Sequence, residues 1–199
     1  MTTEQWDERY SQRELVWTAE PNRFLRAEVE GLAPGRALDV ACGEGRNAVW
    51  LAGKGWDVTG VDFSPVGIEK ARRLAEEYEV EVTWEVADST AWQPPSGCFD
   101  LLIVFYLHLP PEPLNAALGH AGRALAPGGT LLVVGHALRN LTEGYGGPPT
   151  AEGLYSPEEV ASMLDGLVIE RSDEVLRSVE ADGATHSAID TLVRARRPV

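Results

Sequence analysis

Apolar residues along the chain recur with two different periods, and the period changes at Gly, Pro and Asp. Short apolar or alternating runs bounded by such residues read as strands, and spacings of three and four read as helices. Trp6 and Tyr10 stand four apart in the polar stretch 4–13, which predicts a short amphipathic helix. Pro21 is suited to open a helix reaching residue 31. Residues 37–40 read as a strand, 46–52 as a helix, and 56–61 as a strand ending at Asp62. A helix is predicted from Pro65 to about Tyr78, with Ile68, Ala71, Arg72 and Ala75 near one face. Residues 82–86 alternate as a third strand and end at Ala87-Asp88. The nearly unbroken apolar run 99–105 is the pattern of a strand buried on both faces. A helix is expected over 111–125, Pro127-Gly128-Gly129 reads as a hard stop and turn, and 130–135 as the next strand.

From 137 to 155 the periodicity vanishes, and Gly144, Gly146, Gly147, Pro148 and Pro149 crowd the segment. A loop this long in a compact domain is usually functional or disordered. Ser156-Pro157-Glu158-Glu159 then has the form of a helix start. Two β-rich segments, 168–179 and 187–195, are joined by the hairpin signal Ala181-Asp182-Gly183. The alternation predicts a single α/β domain over 1–199, with a doubly wound, Rossmann-like, seven-stranded, mostly parallel sheet and a C-terminal antiparallel β hairpin. It divides into an N-terminal helical segment 1–30, a core 36–136 and the Gly/Pro-rich loop 138–155.

Composition narrows the partners. A formal net charge of −14 argues against nucleic acid and against an anionic membrane surface. The basic cluster Arg194, Arg196 and Arg197 reads as a solvated strand end. Cys42 and Cys98 form no CxxC pair, so neither a disulfide framework nor a metal site is implied, and a cytoplasmic location fits. The first residues lack the basic and apolar regions of a signal peptide. The longest apolar run, 101–109, is too short to span a bilayer and contains His108.

The chemistry concentrates in 37–47, Ala-Leu-Asp-Val-Ala-Cys-Gly-Glu-Gly-Arg-Asn. A strand runs into a turn almost without side chains and then into a helix, where a nucleotide-like ligand can approach the main chain. Asp39, Asp62 and Asp88 fall at successive strand ends, which open on one edge of a parallel sheet. Each alone could be an ordinary helix cap. Together they favour a ligand site, and Asp62 lies at the offset suited to ribose hydroxyls. Asp39 and Glu44 would repel a pyrophosphate. S-adenosylmethionine fits better, with an amino group for Asp39 to hold indirectly, a ribose for Asp62 and an adenine amine for Asp88.

Leu38-Asp39-Val40-Ala41-Cys42-Gly43-Glu44-Gly45 resembles the glycine-rich first motif of class I S-adenosylmethionine-dependent methyltransferases. Residues 58–64, 86–88, 99–104 and 125–131 resemble their later motifs, in order and spacing. Gly45-Arg46-Asn47 and the pattern Trp6, Tyr10, Trp17, Pro21-Asn22 are similar to small bacterial enzymes of the tellurite-resistance and thiopurine group. The resemblance implies that the backbone of Ala41, Gly43 and Gly45 lies along the methionine part, with Arg46 toward its carboxylate. It implies that Asp39 orients the loop, Asp62 takes the ribose, and Phe63 packs on adenine. Asp88, with Ala87 and Ser89, then holds the adenine amine, and Val104, Phe105 and Tyr106 line the far wall. Ala41 replaces the usual first glycine, which is tolerable at negative φ.

Methyl transfer from a sulfonium to a small-molecule acceptor is an in-line displacement that needs alignment and a dry site. The product cofactor is S-adenosylhomocysteine. A soft acceptor, such as a thiol or chalcogen oxyanion, requires no base; a hydroxyl or amine is helped by one. Tyr106, His108 and His136 are the candidates, against strand-end packing roles for the same residues. Trp6, Tyr10 and Trp17 are expected either as a lid or as packing, and Arg139 could meet an anionic acceptor. A nicotinamide-dependent oxidoreductase and a cofactor-binding module without turnover stay open. So does the choice between monomer and homodimer.

Overall fold

The computed structural model describes residues 2–199; Met1, the first residue of the expected 1–30 segment, lies outside the described residues. The strands are β1 (Arg36–Val40), β2 (Asp57–Asp62), β3 (Thr83–Val86), β4 (Phe99–Phe105), β5 (Leu125–His136), β6 (Val168–Ala181) and β7 (Ala184–Arg196). The helices are α1 (Thr3–Ser11), α2 (Arg23–Glu28), α3 (Arg46–Ala52), α4 (Pro65–Glu77), α5 (Pro111–Ala124), α6 (Asn140–Glu143) and α7 (Pro157–Ser162). The strands pair in one seven-stranded sheet, in the order β3-β2-β1-β4-β5-β7-β6. β1 to β5 run parallel, and β7 lies antiparallel to both neighbours. The expected α/β architecture with its terminal hairpin is therefore the observed one.

Alternation in the central strands divides the core between the two faces of the sheet. Leu38, Leu102, Val104, Leu131 and Val133 pack with Leu114 and Leu118 of α5. Ala37, Leu101, Ile103, Leu132 and Val134 pack with Leu25, Ala48 and Leu51 of α2 and α3. α4 starts where Ser64 accepts from the Gly67 N–H at 2.9 Å, with Pro65 in the first turn. Its buried face is Ile68, Ala71, Leu74 and Ala75; Arg72, expected there, is exposed.

Three segments depart from the pattern. α2 opens at Arg23, not at Pro21, because Asn22 caps it through the Phe24 N–H at 2.9 Å. Pro127-Gly128-Gly129 does not stop the chain. β5 already pairs at Leu125 with Phe99, and the extra residues bulge before Thr130 pairs with Leu101. Gly128 and Gly129 exchange backbone hydrogen bonds with Arg197, at 3.0 and 2.9 Å, so the basic strand end closes the bulge. The 138–155 segment is tethered rather than free. It carries α6, and a bridge joins Ala137 to Tyr155. The buried Asn140 side chain accepts from Ile189 N–H at 2.7 Å and donates to the Gly146 carbonyl at 2.8 Å.

β1 has β2 on one side and β4 on the other, so the strand order reverses there. The crevice at such a reversal, at the carboxyl ends of the strands, is where open α/β sheets bind ligands.

Candidate functional site

The turn between β1 and α3 is built from three left-handed residues: Ala41 at φ 57°, Gly43 at 54° and Gly45 at 78°. A Cβ on Gly45 would meet Trp84 Cη2 at 2.6 Å and Ala71 Cβ at 2.7 Å, so the turn needs glycine there for space as well as conformation. Ala41 departs from the negative φ that would make its methyl harmless, at a strain of about 1 kcal/mol. Ala41→Gly is expected to raise the unfolding free energy by about 0.5 kcal/mol, the relieved strain less the added chain entropy of glycine. Urea denaturation measures this, and lower stability would contradict the strain.

Asp62 ties this turn to the next strand end. Its Oδ2 accepts from the Gly43 N–H at 2.8 Å and its Oδ1 from the Ser64 N–H at 2.9 Å. Burial raises its pKa despite these bonds. Asp39 is also buried, and its Oδ2 has no hydrogen-bond partner among the described residues. Burial and the neighbouring Asp62 push its carboxyl up to about 8, so it is largely protonated at neutral pH. Asp88 is exposed and closes a local turn by accepting from Thr90 N–H and Oγ1, at 2.8 and 2.7 Å. Ala87 donates its N–H to the Asp62 carbonyl at 3.0 Å, while Phe63 and Ser89 are half-buried nearby along the chain. Val104 and Phe105 are core side chains on opposite faces of the sheet.

The N-terminal segment lies on this turn. Thr2 and Gln5 form a capping box that starts α1. The Tyr10 hydroxyl comes so close that a Cβ on Gly43 would meet it at 2.8 Å. Asp7 hydrogen-bonds to Ser64, and Arg9 stands 5.1 Å from the ring centroids of both Trp6 and Trp17. Glu44, expected to face the ligand, does something else. Its buried carboxylate accepts from the N–H groups of Val16 at 2.9 Å and Trp17 at 3.1 Å, and pairs with Lys70 at 3.1 Å. Lys70 also donates to the carbonyls of Tyr10 and Arg13. Arg46 is half-buried at the start of α3, with no hydrogen bond or ion pair among the described residues. Burial lowers the Arg46 pKa from its ordinary value.

Beyond β4 and β5 lies a second group. Tyr106 is itself left-handed, at φ 57°, an unusual conformation for a bulky residue. Its hydroxyl donates to Asp190 Oδ2 at 2.9 Å. The His108 and His136 rings stack at 5.3 Å with an interplanar angle of 9°, and His136 meets Tyr106 edge-on at 5.1 Å. His108 Nδ1 lies 2.8 Å from the Gly153 carbonyl, which can only accept, so the proton sits on Nδ1. Burial lowers the His108 pKa and keeps the ring neutral. His136 Nδ1 is 3.2 Å from Asp190 Oδ1, outside hydrogen-bond alignment. Asp190 is fully buried and pairs with Arg177 Nε at 2.6 Å. Burial would raise the Asp190 pKa, but His136 and Arg177 outweigh it and hold the carboxyl below its ordinary value. Arg139 is taken up by Glu174 at 2.9 Å and Glu143 at 3.3 Å.

Asp190 and Arg177 are the residues of this group that sequence reasoning missed. One signal was present for Asp190, the lone charge in the mostly apolar run 188–193.

Residues 37–129 match the family model described as a methyltransferase domain. Five strand-end motifs, this match and the observed sheet agree. Residues 37–129 thus resemble the methyltransferase domain of class I S-adenosylmethionine-dependent enzymes. Over 104 residues it is 39% identical to a demethylmenaquinone methyltransferase of Thermus thermophilus, a match covering 51% of this chain and 47% of that one. The chain thus spans about half the length of that curated relative. A structure solved in work on the conversion of a disulfide bond into a thioacetal group during echinomycin biosynthesis is similar at 26% identity and TM-score 0.77. That likeness covers 98% of this chain and 92% of the other. TehB from Haemophilus influenzae shares the fold at TM-score 0.72 and 16% identity, over 97% of this chain and 67% of its own.

Proposed function

We propose that this methyltransferase domain binds S-adenosylmethionine in the crevice between β1 and β4 and catalyses methyl transfer to a small-molecule acceptor. The observation that carries the reading is the turn 41–45, whose left-handed backbone is bonded to Asp62 across two strand ends. A turn of mostly small residues, a buried carboxyl with one oxygen unpartnered among the described residues and a guanidinium unpaired among them suit a zwitterionic amino acid joined to a nucleoside. In this reading Arg46 meets the carboxylate, and the Ala41, Gly43 and Gly45 backbone lies along the methionine chain. Asp39 answers the ammonium and Asp62 the ribose. Phe63, Ala87, Asp88 and Ser89 surround the adenine, and Trp6, Tyr10 and Trp17 belong to a lid that Glu44 clamps down. The bound sulfonium supplies the methyl group. The protein aligns the acceptor behind it and excludes water. The unpaired Cys42 and Cys98 suit a cytoplasmic setting.

A thiol or chalcogen oxyanion is the softer class of acceptor, which needs no base, and a hydroxyl is the class that a base helps. The experiment is a thermal shift with S-adenosylhomocysteine and with NAD, followed by transfer of label from methyl-tritiated cofactor into a small-molecule extract. A shift with the former alone, and label transferred, is the expected outcome. A shift with NAD alone would return the protein to the oxidoreductases.

A further inference from the structure

Tyr106, His108, His136, Arg177 and Asp190 form a polar group beside the proposed cofactor crevice that a soft acceptor does not require. Building on the proposed methyltransferase reading, we infer that the acceptor is an aromatic or enolic hydroxyl, that His108 is the base that removes its proton, and that Asp190 is a positioning residue for the wall of rings beside it.

The tautomer carries the first part. The Gly153 carbonyl fixes the His108 proton on Nδ1, which leaves the Nε2 lone pair as acceptor, and no described residue occupies it. The same carbonyl steadies the imidazolium that forms when Nε2 takes a proton. The second part rests on the neighbours. Asp190 Oδ2 accepts from Tyr106 and Arg177 at once, and His136 Nδ1 lies 3.2 Å from Oδ1, which also accepts from Arg177. Tyr106 and His136 therefore stand in fixed relation, and the His108 ring lies parallel to His136. Planar walls favour a planar acceptor.

The choice of nucleophile follows from acidity. A thiol ionises at about pH 8.5 and supplies its own thiolate near neutrality. A phenol, at about 10 as in tyrosine, stays protonated at neutral pH and gains from a positioned base. A neutral imidazole is poorly matched to the far weaker acidity of an aliphatic alcohol. In the step, the O–H bond breaks toward His108 Nε2. The freed oxygen pair forms the bond to the methyl carbon while the carbon–sulfur bond breaks and its pair stays on sulfur. The positive charge of the sulfonium is thereby exchanged for that of the imidazolium, which returns its proton to solvent.

The groups facing His108 are His136 from β5, Tyr106 following β4, and Asp190 of β7 with its partner Arg177 of β6. The lowered basicity of His108 puts the acidic limb of the kcat/KM profile below that of a free imidazole, with activity rising as pH increases.

The test uses the full chain with methyl-tritiated S-adenosylmethionine and five acceptors: catechol, hydroquinone, 2-naphthol, thiophenol and tellurite. Label is expected in at least one of the three hydroxyl compounds, at least tenfold faster than in thiophenol or tellurite. His108→Gln should lower kcat on that compound by about a hundredfold while S-adenosylhomocysteine binds within threefold of the unsubstituted protein. Asp190→Asn should lower kcat and move the acidic limb of the profile. Faster transfer to thiophenol or tellurite, no transfer to any hydroxyl compound, or full activity in a His108→Gln protein that binds S-adenosylhomocysteine each overturns the proposal. Failure of the unsubstituted protein to bind S-adenosylhomocysteine overturns the cofactor reading instead, and this proposal with it.

Discussion

Asp62→Ala is expected to weaken S-adenosylhomocysteine binding by roughly a hundredfold or more, a larger loss than any other single strand-end acid should give. The carboxylate holds the Gly43 and Ser64 N–H groups, both buried, through separate oxygens. Without it, two buried donors lose their acceptor, each at about 1–3 kcal/mol. The first donor belongs to a left-handed glycine in the turn that has to receive the ligand. The proposed ribose contacts disappear in the same substitution, so the cost of re-forming the turn adds to the loss of the bonds. Asp88→Ala is the matching control. Asp88 is exposed and bonded only within its own turn, to Thr90, so a loss of no more than about tenfold is expected. Calorimetric titration at 25 °C compares the two. Affinity within threefold of the unsubstituted protein in Asp62→Ala would remove Asp62 from the site. Asp62→Asn is a second variant for the case in which alanine unfolds the protein. It keeps an oxygen for one N–H and turns a donor toward the other.

The parallel core was legible because its signals are local. The run 99–105 is apolar at nearly every position because β4 is covered on both faces, and Gly43, Gly45 and Asp62 mark the strand ends in the sequence itself. What escaped depends on partners distant in the chain. The 127–129 turn became a bulge because Phe99 pairs with Leu125 before the turn and Arg197 closes it from the C-terminus. The 138–155 segment looked structureless because Asn140 and Tyr145 bond to β7, about forty residues away, through Ile189 and Ser187. Asp190 and Arg177 face one another across a hairpin, and nothing in either segment announces the other. Glu44 was read correctly as acidic and wrongly as facing the ligand, because its partners, Val16, Trp17 and Lys70, come from outside the motif. For Ala41 the sequence flags the departure from glycine but not its left-handed backbone.

Asp39→Asn is expected to remove the steepest pH dependence of the unliganded protein. The Asp39 carboxyl titrates at about 8 in the fold and near 3.9 in the unfolded chain. Between those values the native state holds a proton that the unfolded state has lost, so the contribution to stability falls as pH rises. It is constant below about pH 4, declines through the interval, and levels off above about 8, by about 6 kcal/mol in all as an order of magnitude. The lowered pKa of His108 works in the opposite direction, and the raised pKa of Asp62 works in the same direction. The comparison is therefore the difference between Asp39→Asn and the unsubstituted protein in urea unfolding at pH 5 and pH 8. A difference that does not change between the two pH values would mean that Asp39 is already ionised in the fold. The ligand supplies the complementary half. A cation bound near the turn favours the ionised carboxylate, so cofactor uptake at pH 7 should release up to about one proton per site. Calorimetry in buffers of different ionisation enthalpy reads that proton directly, and Asp39→Asn should release none from this position. The ammonium that Asp39 answers survives methyl transfer, so S-adenosylhomocysteine should release the same proton as the substrate cofactor. The Asp39 oxygen without a partner among the described residues is then explained as part of a carboxylate whose counter-charge arrives with the cofactor.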